Sequence, residues 1–566
     1  MRSVTLGIST GHDSGVCLLH GNQVIFAINE ERLSRVKGFA GFPAQSLMYV
    51  LDNFREEIVT VAVDGKCVTP HGVAARYNFE GDETKVRKIV RISGYSKLLL
   101  GTRFGIKLVR TIYKIIHSGK RQSLKKKISK IFLAGDRPLP TFHFVDHHTA
   151  HAFSVMPNHK FKDGSLVLTI DGVGEGVCSR VFRVENNQFH ELSWQPALGS
   201  PALMYAYITK ILGYRMNRHE GKITGLAAFG NSELTSQVIG KHFFYDKSKG
   251  ILRAKNIAWG QGAEFALAKK LNKFSPEDIA AGVQRVCEEI VIDYFEDIVE
   301  KNNFRTPLDL YVAGGLFANV KLNQKLIQLK FVERLHVAPN MGDGGLPLGV
   351  AKAVHPEKVQ HSDVYLGPTI EFDQVQNSSL KLVAHGEDLV ALVAKKLSDG
   401  KIIAVARDRM EFGPRALGNR SILYDASNEN VNKWLNKKLN RTEFMPFAPI
   451  GRAEDASIYF ELDQSPAEYV NMTITCDVTD QCKEEARAVV HVDGTARPQL
   501  VYKETNRFIW DLLTEYKSVT GRGLLVNTSF NMHEEPIVCS GQEAVSAFLR
   551  ADLDVLVLGE YAYERV

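Results

Sequence analysis

Short, wholly apolar runs closed by glycine and acidic residues recur along the first part of the chain, with longer runs of helical spacing between them. Val4-Thr5-Leu6-Gly7-Ile8 predicts a first strand, and Val16-Cys17-Leu18-Leu19 a second that returns from the turn Ser9 to Gly15. Val24 to Ile28 predicts a third, after which the charged run Asn29 to Lys37 precedes a helix opened by Pro43 and reaching about Phe54. Phe142 to Val145 reads as a strand leading into Asp146-His147-His148-Thr149-Ala150-His151 and a helix-like continuation. Leu166 to Ile170, the acidic turn Asp171 to Gly176 and the strand Val177 to Val184 then repeat the opening design. A helix is expected from about Pro276 to Val299, and the strand Leu308 to Ala313 leads into Gly314-Gly315.

Two strand-turn-strand units, each ending in Asp and Gly, predict an internally duplicated α/β domain of the actin and sugar-kinase type, which binds nucleotide or metal between its halves. A linker falls at about His355 to Ser362, beyond which strands and helices alternate again. The expected division is a first domain over 1–355 and a second over 363–566.

Composition narrows the class. A chain of 566 residues is too long for one ordinary core, and two or three domains are expected. Its seven cysteines form no CxxC pair, which argues against a zinc knuckle or a disulfide framework and fits a reducing cytoplasm. The N-terminus runs straight into a strand and does not resemble a signal peptide. Nowhere is there the run of about 18 apolar residues that spans a bilayer, so a soluble protein is expected.

Charge is uneven. From Lys85 to Gly135 there is no Asp or Glu, and without this segment the chain would be net acidic. Its apolar residues have helical spacing, so 85–135 reads as a basic helical insertion. One reading is a solvated surface helix; the other is a docking surface for an anionic or membrane-associated acceptor, such as a glycolipid, at the inner face of a membrane. Interleaved aromatic residues are sparse, which disfavours nucleic acid.

The chemistry-bearing residues cluster at turns. His147 and His151 lie four apart on one helix face and can hold one metal ion, while His148 points elsewhere and reads as structural. A metalloprotease would place a glutamate where His148 stands, so peptidase chemistry is disfavoured. Asp343, flanked by glycines, is the candidate carboxylate that completes an N,N,O set for a divalent transition metal. His12 and Asp13 bring acid-base groups to the first turn, and Lys222 and Thr224 offer contacts for an acyl or phosphate group. Gly314-Gly315 entering a helix suits a nucleotide ribose or phosphate. In the second domain Arg415 and Arg420 bracket a glycine-rich stretch suited to phosphate oxygens, and Lys437, Lys438, Arg441 and Arg497 add cations beside the amide of Asn527.

Together these motifs resemble the NodU/CmcH family of O-carbamoyltransferases, almost end to end. The matching stretches are GHDSG, NEERLSRVK, HHTAHA, DGVGE, EGKITGLAAFG, GGLFANVKLN, GDGG, RMEFGPRALGNRSIL, PFAP, DGTARPQ and VNTSFN. The resemblance implies an ASKHA-type first domain like that of the tRNA threonylcarbamoyl transferase and a YrdC-like second domain. Carbamoyl phosphate and ATP, with magnesium, would form carbamoyl-adenylate in the second domain; in the first, beside Fe(II) or another divalent transition metal, the carbamoyl group would pass to an acceptor hydroxyl.

On that resemblance His147, His151 and Asp343 would hold the metal, with Asp171 as a further ligand. His12 would be the base, oriented by Asp13, and Lys37 and Lys222 would stabilise negative charge. Gly314, Gly315, Asn319 and Asn323 would line the adenosine site. Arg415, Arg420, Lys438, Arg441, Arg497 and Asn527 would hold carbamoyl phosphate and ATP. The chain departs from the family at Met445, where a basic residue is common, and at Asn440-Arg441-Thr442-Glu443. Two other readings stand beside this one: a tRNA threonylcarbamoyl-type transferase, and a non-catalytic nucleotide-binding scaffold. The acceptor is expected to be a small molecule or glycan, and a homodimer is one option for the assembly.

Overall fold

The computed structural model describes residues 4–65, 103–155, 161–255, 267–355, 363–370, 377–439 and 444–566, with the backbone alone at 103–118 and 433. Contacts divide the chain into two compact units, 1–25 with 40–361 and 26–39 with 362–566. The charged run Asn29 to Lys37, expected within the first domain, therefore groups with the second unit.

The first unit carries the duplication plainly. Strands β1 (Val4–Ser9), β2 (Gly15–His20), β3 (Gln23–Asn29), β4 (Ile58–Asp64) and β5 (Thr141–Val145) form one sheet in the order β3-β2-β1-β4-β5. Strands β6 (Leu166–Gly174), β7 (Val177–Glu185), β8 (Gln188–Pro196), β11 (Leu308–Ala313) and β12 (Val332–Val337) form another in the order β12-β11-β6-β7-β8. Read from the far strand of each meander, the two orders are the same. In both, an antiparallel hairpin is extended by two parallel strands: β1 with β4 and β4 with β5, β6 with β11 and β11 with β12. This is the α/β, ASKHA-type arrangement that the repeated turns predict. A hairpin of β9 (Phe243–Asp246) and β10 (Ile251–Ala254) stands apart from both sheets.

Parallel strands place their carboxyl ends on one side, where loops and helix N-termini gather. Asp64, Asp146 and Gly314 lie at or directly after the ends of β4, β5 and β11. The helix His147–Ser154 follows β5 and packs Ala150 against Ala62 of β4 and against Leu346 and Val350 of the helix Leu346–Val354. Gly349 lets these two helices touch, since a Cβ there would come 1.9 Å from the Ala150 carbonyl oxygen. The expected helix after residue 275 runs over Pro276–Lys301, capped by Ser275 with proline in its first turn.

Of the basic insertion, a 32-residue helix Arg103–Ala134 is described, and the part over 85–102 lies outside the described residues. Its last turns bury Ile128 and Phe132, while Lys120, Lys125, Lys126, Lys127 and Lys130 are exposed. Two of these lysines also lie over aromatic rings, Lys125 over Phe142 and Lys127 over Phe42.

The second unit is also α/β. Its eight-stranded mixed sheet runs β13-β23-β22-β14-β15-β21-β16-β20, that is Leu380–His385, Tyr561–Arg565, Val555–Leu558, Ile403–Ala406, Arg420–Asp425, Leu524–Ser529, Ala448–Arg452 and Gln499–Val501. The helices Asp388–Ser398 and Arg507–Thr520 bury Val393, Leu397, Leu512 and Tyr516 against Ile403, Leu423, Leu525 and Val557 of that sheet. Strands β17 (Phe460–Glu461), β18 (Cys476–Val478) and β19 (Thr495–Ala496) form a small separate sheet.

Candidate active site

In the first unit four side chains converge. His147 Nε2 is 3.2 Å from His151 Nε2, 3.2 Å from Asp171 Oδ2 and 3.6 Å from Asp343 Oδ1, and His151 Nε2 is 3.4 Å from the same Asp343 oxygen. One ligand atom from each of the four lies within 4.8 Å of all the others. Both histidines are fully buried.

Local structure aims each of them. Asp146 caps the histidine helix by accepting from the Thr149 amide, which fixes its first turn and with it His147. Asp171 was expected in a turn but lies within β6, where the pairing with β7 breaks between Ile170 and Gly174. That irregularity frees the strand to turn the side chain inward. Asp343 opens a short 3-10 turn ahead of the helix Leu346–Val354. Gly174 makes room for His147, whose Cδ2 would be 2.0 Å from a Cβ at that position.

Two imidazoles and two carboxylates of opposite charge to a divalent cation, directed at one point in a buried site, fit a transition metal. His148 does not take part. Val177 O, an acceptor, lies 3.2 Å from its Nε2, which therefore carries the proton, and its Nδ1 lies 3.0 Å from Thr169 Oγ1. Burial holds it well below the usual imidazole range, so it is a neutral strut between helix and sheet.

The Gly314-Gly315 turn serves this same centre. Gly314 has φ +108° and packs on Ile170, leaving 2.1 Å between a would-be Cβ and the Ile170 carbonyl oxygen. Gly315 donates its amide to Asp171 Oδ1 at 3.2 Å. Asn319 and Asn323, expected to line an adenosine site, point into the protein. Asn319 caps the helix Val320–Ile327 and exchanges two hydrogen bonds with Gln284, and Asn323 donates to Phe317 O. Thr224 is joined to that network through Tyr205, which donates to Gln284.

At the first turn His12 Nδ1 lies 2.7 Å from Asp13 Oδ2, both side chains being about one-third exposed. A carboxylate only accepts, so Nδ1 carries the proton and Nε2 is left with its lone pair, as a general base needs. Lys222 is buried on the helix Glu220–Leu226. Glu220, at the head of that helix, was not singled out in the sequence. Burial raises its carboxyl above the usual range, against the opposing amides of its own turn and the nearby His12. Lys37 is grouped by contacts with the second unit, and His12 and Lys222 with the first.

In the second unit the loop from Glu411 to Arg420 is held from all sides. Glu411, buried, accepts from the amides of Leu417, Asn419 and Arg420 through one carboxylate oxygen. Leu417 O accepts from Tyr365 and Gln499, and Ala416 O from Asn527, which also donates to Gln499. Asn527 therefore supports the loop from within. Arg415, on this fixed backbone, is half-buried, as is Arg497 on the segment leading to β20.

Two cations expected at the phosphates are placed otherwise. Arg420 is fully buried and donates to the carbonyls of Arg407, Asp408, Asn419 and Pro368, so its guanidinium is occupied in tying the chain together. Lys438 pairs at the surface with Asp552, which also binds Arg565. Arg441 lies outside the described residues. The run 26–39 contributes struts: Arg32 donates to Gly413 O, and Arg35 to the carbonyls of Pro536 and Ile537 and to Glu543.

The first unit thus carries a buried cluster of two histidines and two carboxylates, and the second an arginine loop braced by Glu411 and Asn527. The chain belongs to the carbamoyltransferase family: the carbamoyltransferase N-terminus matches residues 4–352 and the carbamoyltransferase C-terminus residues 394–565. It is 30% identical to an uncharacterised protein of Methanocaldococcus jannaschii, over 99% of both chains. It is likewise 30% identical to the nodulation protein NolNO of Sinorhizobium fredii, over 98% of this chain and 79% of that one. A 3'-hydroxymethylcephem-O-carbamoyltransferase of Streptomyces clavuligerus is 28% identical over 61% of this chain and 65% of its own. Among the described residues no helix is long and apolar enough to cross a membrane.

Proposed function

We propose that the protein is an ATP-dependent O-carbamoyltransferase that passes a carbamoyl group from carbamoyl-adenylate to a hydroxyl of a small-molecule or glycan acceptor. The observation that carries this reading is the convergence of His147, His151, Asp171 and Asp343 in a chain of the carbamoyltransferase family. Water splits carbamoyl phosphate to carbamate and phosphate, and in the second unit a carbamate oxygen attacks the α-phosphate of magnesium-bound ATP, forming carbamoyl-adenylate as the α–β phosphoanhydride bond breaks and pyrophosphate leaves.

Arg415 and Arg497 are the cations for the anionic oxygens there, because they stay half-exposed on a braced backbone while Arg420 is consumed by carbonyls. Forked guanidinium donors match phosphate oxygens. Asn527, Gln499 and Glu411 keep Arg415 in place.

In the first unit the acceptor hydroxyl gives its proton to His12 Nε2 as its oxygen attacks the carbamoyl carbon, and AMP leaves as the carbon–oxygen bond to phosphate breaks. Asp13 keeps the imidazole in the right tautomer and stabilises the imidazolium that forms. Lys222 offsets negative charge at the transferring group, and Gly314 and Gly315 hold the adenylate end of the site. Bound by the two histidines and two aspartates, Fe(II) or another divalent metal supplies Lewis acidity at the carbonyl or the adenylate phosphate. The exposed lysines of the insertion helix favour an anionic acceptor.

Incubating the protein with ATP, magnesium and carbamoyl phosphate, without acceptor, tests the reading. Carbamoyl phosphate-dependent pyrophosphate release is expected, and its absence from folded, metal-loaded protein would contradict the proposal.

A further inference from the structure

We propose that the outward face of the insertion helix, carrying Lys120, Lys126 and Lys130, docks the protein on an anionic lipid surface. The inference stands apart from the carbamoyl-transfer reading, since lipid binding needs neither metal nor nucleotide.

The helix Arg103–Ala134 carries ten lysines and arginines and no aspartate or glutamate, and Asp136 is the first acid beyond it. From Lys120 onward these cations fall into two sets. One faces the protein. Arg121 Nη2 lies 3.4 Å from Oε1 of Glu175, in the turn between β6 and β7, and its guanidinium stands 5.4 Å from the centre of the Phe144 ring on β5. Lys125 Nζ is 5.4 Å from the centre of the Phe142 ring, and Lys127 Nζ 4.0 Å from that of Phe42. With Ile128 and Phe132 buried, these contacts seat the helix on β5. Because β5 runs directly into the helix of His147 and His151, whatever holds the insertion also sets the orientation of the first unit.

Lys120, Lys126 and Lys130 form the other set, and all three are exposed. At about 100° per residue they lie within an arc of about 120° on the side opposite Ile128 and Phe132. Among the described residues none of the three pairs with a carboxylate. Lys126 and Lys130, one turn apart, repel each other and weaken the helix, so the row calls for an anion from outside. Its ammonium groups are spread along about 15 Å of helix axis, which exceeds the reach of one phosphate and matches a surface of many headgroups. Exposed leucines stand at the end of the row: Leu133, 61% exposed, on the flank of the same face, and Leu139, 56% exposed, past the last turn. Lysines for headgroups beside apolar side chains for the acyl boundary are the composition of an interfacial helix. Phe132, the one aromatic residue over 119–134, is buried, so this face offers no ring on which a base could stack.

Sedimentation of the full-length protein with vesicles tests this. Vesicles of equal parts phosphatidylcholine and phosphatidylglycerol are expected to carry the protein down at low salt and to lose it at high salt, while vesicles of phosphatidylcholine alone leave it in solution. Lys120→Gln, Lys126→Gln and Lys130→Gln combined are expected to weaken binding about 100-fold, at about fivefold for each lysine. Leu133→Ala is expected to weaken it by a smaller factor. All four positions are exposed, and a thermal melt that matches wild type shows that the variants are folded. Lys241→Gln, Lys269→Gln and Lys273→Gln combined remove the same charge from exposed positions elsewhere in the first unit, and are expected to bind as wild type does. No binding to the anionic vesicles, or an equal loss in the two triple variants, would overturn the proposal. Binding to heparin without binding to vesicles would overturn it as well, and would assign the face to a soluble polyanion. Carbamoyl-AMP formation is read separately, and the carbamoyl-transfer reading survives any of these results.

Discussion

The amide of Gly315 donates to Asp171 Oδ1, and the other oxygen of the same carboxylate faces His147 Nε2, each at 3.2 Å. A glycine turn of the kind that cradles nucleotides here clamps a carboxylate of the two-histidine, two-carboxylate cluster. Asp171→Asn keeps the shape and the Gly315 bond but removes the charge. Divalent metal affinity should fall about 100-fold or more, beyond the loss of a group behind a ligand, while the chelator-treated protein melts as wild type does. Equilibrium dialysis with Co(II) and a thermal melt check both halves.

On the proposed mechanism His12 and Asp13 act in the transfer half-reaction alone. His12→Ala should slow transfer from preformed carbamoyl-adenylate to a hydroxyl acceptor by about 10² to 10⁴, and leave pyrophosphate release unchanged. Asp13→Asn should fall between that and wild type, since it loses orientation of the ring but keeps the base. Single-turnover quench-flow separates the two steps.

Glu411 holds three backbone amides of the loop that presents Arg415. Glu411→Ala strands those donors in the interior, and each orphaned buried donor costs about 1–3 kcal/mol. Urea unfolding should show a loss of several kcal/mol in the second unit's transition, and pyrophosphate release should be abolished in whatever fraction remains folded.

The Glu175 carboxyl gives stability a pH dependence of defined sign. Burial and the Asp146 hydrogen bond raise it from 4.5 to about 8, with Arg121 and Arg180 opposing. The folded state then keeps a proton that the unfolded chain releases above about pH 4.5, so its contribution to stability falls as pH rises toward about 8 and is flat beyond. Glu175→Gln has no such proton. Relative to wild type it should become progressively more stable from pH 5 to pH 8, by up to about 1 kcal/mol per unit, in urea unfolding of chelator-treated protein.

Much of the first unit was legible in the sequence, because its signals are local. β1 is a short buried run and β5 a short, partly exposed one, and the candidate catalytic and ligand residues follow within a few positions, as His12 follows β1 and His147 follows β5. The i, i+4 histidines needed only helical spacing, and Asp343 stood out between glycines. What escaped depends on long-range contact. An arginine in a glycine-rich loop looks the same whether it stays half-exposed, like Arg415, or donates to four carbonyls, like Arg420. Glu411 and Glu220 were passed over in the middle of motifs whose glycines and cations drew the eye. The grouping of 26–39 with the second unit depends on Arg32 and Arg35 meeting carbonyls several hundred residues away, which no local pattern encodes. The basic insertion was legible as a helix, while its tie to Glu175 rests on a single arginine among many.

The central claim is that one chain makes carbamoyl-adenylate at one site and spends it at another. Purified protein would be incubated with ATP, magnesium and carbamoyl phosphate but no acceptor, and carbamoyl-AMP followed by mass spectrometry in wild type, Arg497→Ala and His147→Ala. The account predicts carbamoyl-AMP in wild type and His147→Ala and its loss in Arg497→Ala. Loss in both variants alike, or carbamoyl-AMP undiminished in Arg497→Ala, would contradict the division of labour between the two units.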